Sequence, residues 1–101
     1  MSNVMELHDA VRHGDLARMT ALLDQDGGLA NAVSTNDPRR TYPLHVAAEF
    51  GQADAARLLL RYGASVSLLD AENDAIALGW AAFFGRPSVV ATLLEAGSEP
   101  K

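Results

Sequence analysis

Three histidines, six serines and thirteen carboxylates are the side chains of this 101-residue chain that could do chemistry. A metal site on one helix needs ligands three or four residues apart, so that both leave the same face. His8 and His13 stand five apart and His45 is remote, so no zinc site is expected. The absence of cysteine excludes a disulfide, a thiolate metal site and a cysteine nucleophile. A serine nucleophile needs a base within reach and a group to orient that base. Ser2, Ser34, Ser65, Ser67, Ser88 and Ser98 fall in expected loops or helix starts, none within G-x-S-x-G, and Ser88 reads as the start of a helix. Neither G-x-G-x-x-G nor G-x-x-x-x-G-K occurs, so no phosphate cradle is signalled. Asp9, Asp15 and Asp54 read as solvated helix surface. The expectation is a protein with no catalytic residue, no cofactor and no metal, hence not an enzyme.

Charge narrows the partners. Eight Lys and Arg against thirteen Asp and Glu leave a net charge of −5. Nucleic-acid binding draws its affinity from cations that neutralise phosphates, so a nucleic-acid partner is not expected. Arg39-Arg40 is the one adjacent basic pair, and beside Asp37 it reads as a solvated loop. No run of eighteen apolar residues and no basic-then-apolar leader are present, so the expectation is a soluble, cytoplasmic protein without a membrane partner.

The elements that must position any site are read from Thr41 to Ala64. Pro43 suits the first position of a helix carrying Leu44, Ala47 and Ala48, and Gly51 suits its left-handed close. A second helix, from about Asp54, carries Ala55, Leu58, Leu59 and Tyr62 and ends at Gly63. Helices of about ten residues are marginal alone. The chain supplies neighbours of the same shape. At an offset of 37, Leu44-His45-x-Ala47 matches Leu7-His8-x-Ala10, and Gly51 falls on Gly14. At an offset of 34, Ala47-Ala48 falls on Ala81-Ala82, Gly51 on Gly85, Leu59-Leu60 on Leu93-Leu94 and Gly63 on Gly97. Asn3 with Glu6 suits a cap for a helix from Val4 to His13, and Asp15 should open the next, to about Asp24. The polar Glu6, Asp9, Arg12, Arg18 and Asp24 give this first unit the look of a soluble end cap.

A helix–turn–helix unit of about 33 residues, with T-P-L-H and A-A before its turn and L-L before its last glycine, resembles the ankyrin repeat. The resemblance covers about nine tenths of the chain. It implies a mainly all-α solenoid of three units, at approximately residues 3–36, 37–73 and 74–101, joined by β-hairpin-like loops in one domain over 1–101. It also implies that His8 and His45 hydrogen-bond within the stack and that Val66 is buried under a hairpin. The third unit departs most. Ile76-Ala77-Leu78-Gly79 stands in place of T-P-L-H, so its first helix should be weakly capped unless Asn73 or Asp74 takes over. The Gln25–Thr41 connection is the longest, with Asp37-Pro38 as a turn.

The resemblance implies a non-catalytic protein-binding module that uses hairpin tips and the outward positions of each first helix. By register these positions are Asp9 and Arg12, Val46 and Glu49, and Trp80 and Phe83, with Arg39, Arg40 and Glu72 on the hairpins. Because Ala81-Ala82 should face inward, Trp80 and Phe83 stand as the aromatic anchors of an interface. The other reading folds both over the exposed end for stability alone. Val89, Val90, Leu93 and Leu94 form an apolar set with no fourth unit beyond it. A frayed end, a self-association face giving a homo-oligomer, and a fragment of a longer array all remain open.

Overall fold

The computed structural model describes residues 2–97, so Met1 and the tail from Ser98 to Lys101 lie outside it. Among these residues six α-helices form three antiparallel pairs, and no strand is present. The first pair is α1 (Asn3–His13) and α2 (Leu16–Gln25), the second α3 (Pro43–Phe50) and α4 (Ala53–Arg61), and the third α5 (Ala77–Phe83) and α6 (Pro87–Glu95). Packing joins neighbours, α1 to α3 to α5 in one row and α2 to α4 to α6 in the other. None of these helices is long enough to hold its shape alone, so burial of Leu7, Met19, Leu23, Leu59 and Leu93 between the rows supplies the stability.

The helix ends follow the expected chemistry with small shifts. Ser2, one place before the expected Asn3, caps α1 by accepting the Met5 N–H at 3.2 Å. Asp15 caps α2 through the Arg18 N–H, also at 3.2 Å. Pro43 opens α3, while α4 begins at Ala53 rather than Asp54. Pro87 opens α6, which leaves Ser88 inside the first turn instead of at the cap. Gly14 and Gly51 close α1 and α3 at φ of 66° and 69°. A second constraint acts at both. A Cβ on Gly14 would meet the Gln52 side chain, and one on Gly51 would meet Arg86. Those neighbours are there because each satisfies an end carbonyl of the preceding pair. Gln52 Nε2 donates to the Arg12 carbonyl at 3.1 Å, and Arg86 Nε donates to that of Glu49 at 3.1 Å.

The long connection after α2 holds a 3₁₀ turn, Gly27–Asn31, that the composition did not signal. It buries Leu29 and Ala30, and Asn31 clamps the next loop by donating to the Gly63 carbonyl and accepting the Ser65 N–H. The hairpin-like loops close through Ser34 N–H to Thr41 O (2.8 Å) and Asp70 N–H to Ala75 O (3.1 Å). They join each other where Ala71 N–H donates to Arg39 O at 2.8 Å. Val66 is partly buried against the core.

Candidate functional site

The two stack histidines are built in the same way. His8 Nε2–H donates to the Ala32 carbonyl at 2.9 Å and His45 Nε2–H to that of Ala75 at 2.8 Å, each tying a first helix to the loop that follows its pair. The other nitrogen of His45 accepts the Tyr42 N–H at 3.1 Å, which fixes the neutral tautomer and caps α3. Burial pushes both imidazoles below their ordinary pKa, against the opposing pull of the carbonyl partners. His13 is exposed, and its Nδ1–H is held by the Asp9 carbonyl. Among the described residues no group of three His, Asp or Glu side chains is placed to hold a metal ion, and no helix is long and apolar enough to cross a membrane.

Two recesses open on the side formed by the first helices and the loops. One, of about 460 Å³, brings together Asp9, Arg12, Val46, Glu49, Phe50 and Asp37. Its charges are largely paired. Arg18 donates to Asp9 at 3.0 Å, and this bond leads the causes that hold the Asp9 carboxyl below the usual range. The Arg12 guanidinium lies 5.7 Å from the centre of the Phe50 ring. The second recess, of about 410 Å³, is walled by Ala75, Gly79, Trp80, Phe83 and Phe84, with Glu72 and Asn73 at its edge.

Arg39 lines both recesses. The solvated-loop reading of this arginine is corrected. Its guanidinium binds Asp37 and Glu49 at 3.0 and 3.2 Å and lies 5.0 Å from the centre of the Trp80 ring. The hydrogen bond to Asp37 is the chief cause that holds Arg39 protonated beyond the ordinary arginine range, and it lowers Asp37 in return. Arg40 is exposed and lines neither recess. Its φ is +52°, and Asp74, at the matching place 34 residues on, has φ of +49°.

Three further expectations about orientation are corrected. Trp80 does not point outward; it is 4% exposed, packed against His45 and Phe84 at ring-centre distances of 5.3 and 5.8 Å. A buried indole needs an acceptor for its N–H, and Asp70 provides it at 2.9 Å. Asp70 is itself buried, and it also accepts the backbone N–H groups of Glu72, Asn73 and Ala75. Burial raises its pKa, but these donors, led by Trp80, outweigh burial and hold the carboxyl below its usual value. Val46 is also buried, beneath the rim of the first recess, whereas Phe83 is 84% exposed. Ala81 faces inward as expected, but Ala82 is exposed because, among the described residues, no helix covers that side. The apolar end is shifted accordingly: Val89 and Leu93 are core, while Leu94, Phe83 and Phe84 are exposed and Val90 is half-buried.

The bond between the Trp80 indole and Asp70 is what sequence reasoning missed. The available signal was an aspartate ten residues before the single tryptophan, at a loop whose backbone needs acceptors. Neither Asn73 nor Asp74 takes over the cap of α5; Ile76 occupies it without a side-chain hydrogen bond.

Comparison with known proteins agrees with this architecture. The chain is 32% identical over 93 residues to a probable E3 ubiquitin-protein ligase of Oryza sativa subsp. japonica, covering 92% of this chain and 20% of that protein. It is 38% identical over 65 residues to an ARF GTPase-activating protein of Drosophila melanogaster, covering 64% of this chain and 8% of that protein. The chain thus spans a fifth or less of the length of these curated relatives. The family described as ankyrin repeats, in three copies, matches residues 7–101. Three helix pairs in register, two stack histidines bonded to following loops and this match agree, and the chain belongs to the ankyrin-repeat family.

Proposed function

We propose that this chain is a non-catalytic protein-binding module, one domain over 1–101, that takes a protein segment along its two joined recesses. The observation that carries the reading is Arg39, held between Asp37, Glu49 and the Trp80 ring, where the polar and aromatic recesses meet. Interfaces place aromatic groups at their centre and charges at their rim, and these recesses have that distribution. Among the candidates, Phe83, Arg12 and Glu72 present exposed side chains, while Trp80 and Val46 act by shaping the surface from below. Arg40 contributes from the loop tip. The relatives' ligase and GTPase-activating names belong to proteins more than four times as long, so no such activity is assigned to this segment.

The test is capture from the source lysate by the immobilised chain, in parallel with Phe83→Ser and Arg12→Glu variants. Both positions are exposed, so both variants should stay folded. A protein held by the parent and lost from both variants supports the joined surface. One held equally by all three overturns it.

Self-association is the second reading, favoured by the exposed Phe83, Phe84 and Leu94 at one end of the stack. Sedimentation over a hundredfold range of concentration separates the two. A mass that rises with concentration supports the end-to-end assembly, and a constant monomer removes it.

A further inference from the structure

We propose that the aromatic recess seats one bulky aliphatic side chain from a basic protein segment, whose lysines or arginines face Glu72 and Asp74. This rests on the protein-binding reading above and names the partner's chemistry.

The recess, about 410 Å³, falls within the ~300–1,000 Å³ of typical ligand pockets. Its inner lining is apolar: Ala75, Gly79, Phe83 and Phe84 with the Trp80 ring. The indole N–H is already taken by Asp70, and the Arg39 guanidinium lies over the ring. With His45 and Phe84 also packed against it, the ring is only 4% exposed and offers no free face to a second cation, so the incoming group is aliphatic and its charges stay at the edge.

The edge has a sign. Arg39, the cation in the lining, is neutralised by Asp37 and Glu49. Glu72 lines the recess and Asp74 sits between the lining residues Asn73 and Ala75; both are exposed. Neither makes an ion pair with any described residue. The rim is therefore acidic and uncompensated, on a chain whose net charge is −5. Such a field draws a basic partner and repels an acidic one. Asp74 is also held in the left-handed region, where glycine would be the easier residue, directly after the turn at residues 71–73 and at some backbone cost.

The experiment uses three capped heptapeptides: a leucine flanked on each side by three lysines, the same leucine flanked by glutamates, and a glycine flanked by lysines. Binding is followed by Trp80 fluorescence and by amide and indole N–H chemical shifts in low salt. The leucine–lysine peptide is expected to bind at least fivefold more tightly than either control, with shifts at Glu72, Gly79 and the Trp80 indole. In a Glu72→Lys, Asp74→Asn double variant its affinity should drop at least fivefold and the glutamate peptide should overtake it. Both side chains are exposed, and asparagine tolerates the left-handed backbone, so the fold should be kept. Equal affinities, an unchanged order in the variant, saturation at another site or no saturation would overturn the proposal. If it fails while Phe83→Ser and Arg12→Glu still strip a partner from the chain, the broader binding surface stands. If those variants lose nothing, the broader reading fails on its own test.

Discussion

The second and third helix pairs run in the same register 34 residues apart, yet their matching positions differ in burial and bonding. His45 ties α3 to the Ala75 carbonyl, while its counterpart Gly79 has no side chain to tie anything and is exposed. Ala48 is fully buried under the third pair; Ala82 lies open. Leu60 is half-buried, whereas Leu94 is 46% exposed. Glu49 is paired with Arg39, and Phe83 projects into solvent. Burial in a stack belongs to the neighbour as much as to the position, because each pair covers only the one before it and the one after it.

The sharpest test of this contrast lies within α5. Trp80 and Phe83 are three residues apart on one short helix, one buried and one exposed. Trp80→Ala should cost about 3–5 kcal/mol, since it empties a core site and strips the buried Asp70 carboxylate of a donor. Phe83→Ala should stay within about 0.5 kcal/mol. Urea denaturation of the two variants checks both values. Similar losses would break the distinction between core and surface in the third pair.

The histidines compare the second pair with the third in a different way. His45→Ala should cost about 1–3 kcal/mol, because the Ala75 carbonyl and the Tyr42 N–H lose their partner together. Burial of the two stack histidines, against the opposing pull of their carbonyl partners, sets the pH dependence. Burial lowers the folded-state pKa of His8 and His45, so between that value and about 6.5 the unfolded chain binds more protons than the folded one. Stability should therefore fall as pH drops below about 6.5, and this fall should be smaller in His45→Ala. A second decline should follow below about pH 4, as Asp37 and Asp70, whose folded pKa values are depressed, take up protons. Denaturation midpoints from pH 8 to pH 3 would show both steps.

The fold was legible because its signals repeat: glycines at Gly14 and Gly51, Pro43 at a helix start and the Leu-His-x-Ala spacing each fix local geometry that any tertiary context must accept. The site was legible only in outline. Counting register placed Trp80 and Val46 outward, but orientation there depends on what arrives from other elements, namely Asp70 from a loop and Arg39 from the preceding loop. Gln52 and Arg86 were missed as inter-pair ties because one is an amide and the other a cation; their shared trait is position, each directly preceding a second helix. A polar residue recurring at that position with different chemistry points to a shared backbone partner.

Hydrogen exchange extends the comparison from burial to dynamics. Among the described residues the third pair is covered on one side, lacks a side-chain cap at Ile76 and has no histidine tie. Amides of α5 and α6 should exchange at least tenfold faster than those of α3 and α4, or about 1.4 kcal/mol less in opening free energy. Uniform protection across both pairs would mean that the stack opens only as a whole.

The smallest effect concerns the one feature that the two loops share. Arg40 and Asp74 both occupy the left-handed region, which disfavours a side chain with a Cβ. Glycine removes that penalty but gains freedom in the unfolded chain, so the net gain should be about 0.5–1 kcal/mol for each Arg40→Gly or Asp74→Gly change. Aspartate tolerates the left-handed region better than arginine, so the gain at Arg40 should be the larger. A larger gain at Arg40 would show that local backbone preference acts alone at both positions, and equal gains would break that reading. No gain at Asp74 would mean that its carboxylate contributes to folding as well as to the rim, and paired thermal melts resolve which holds.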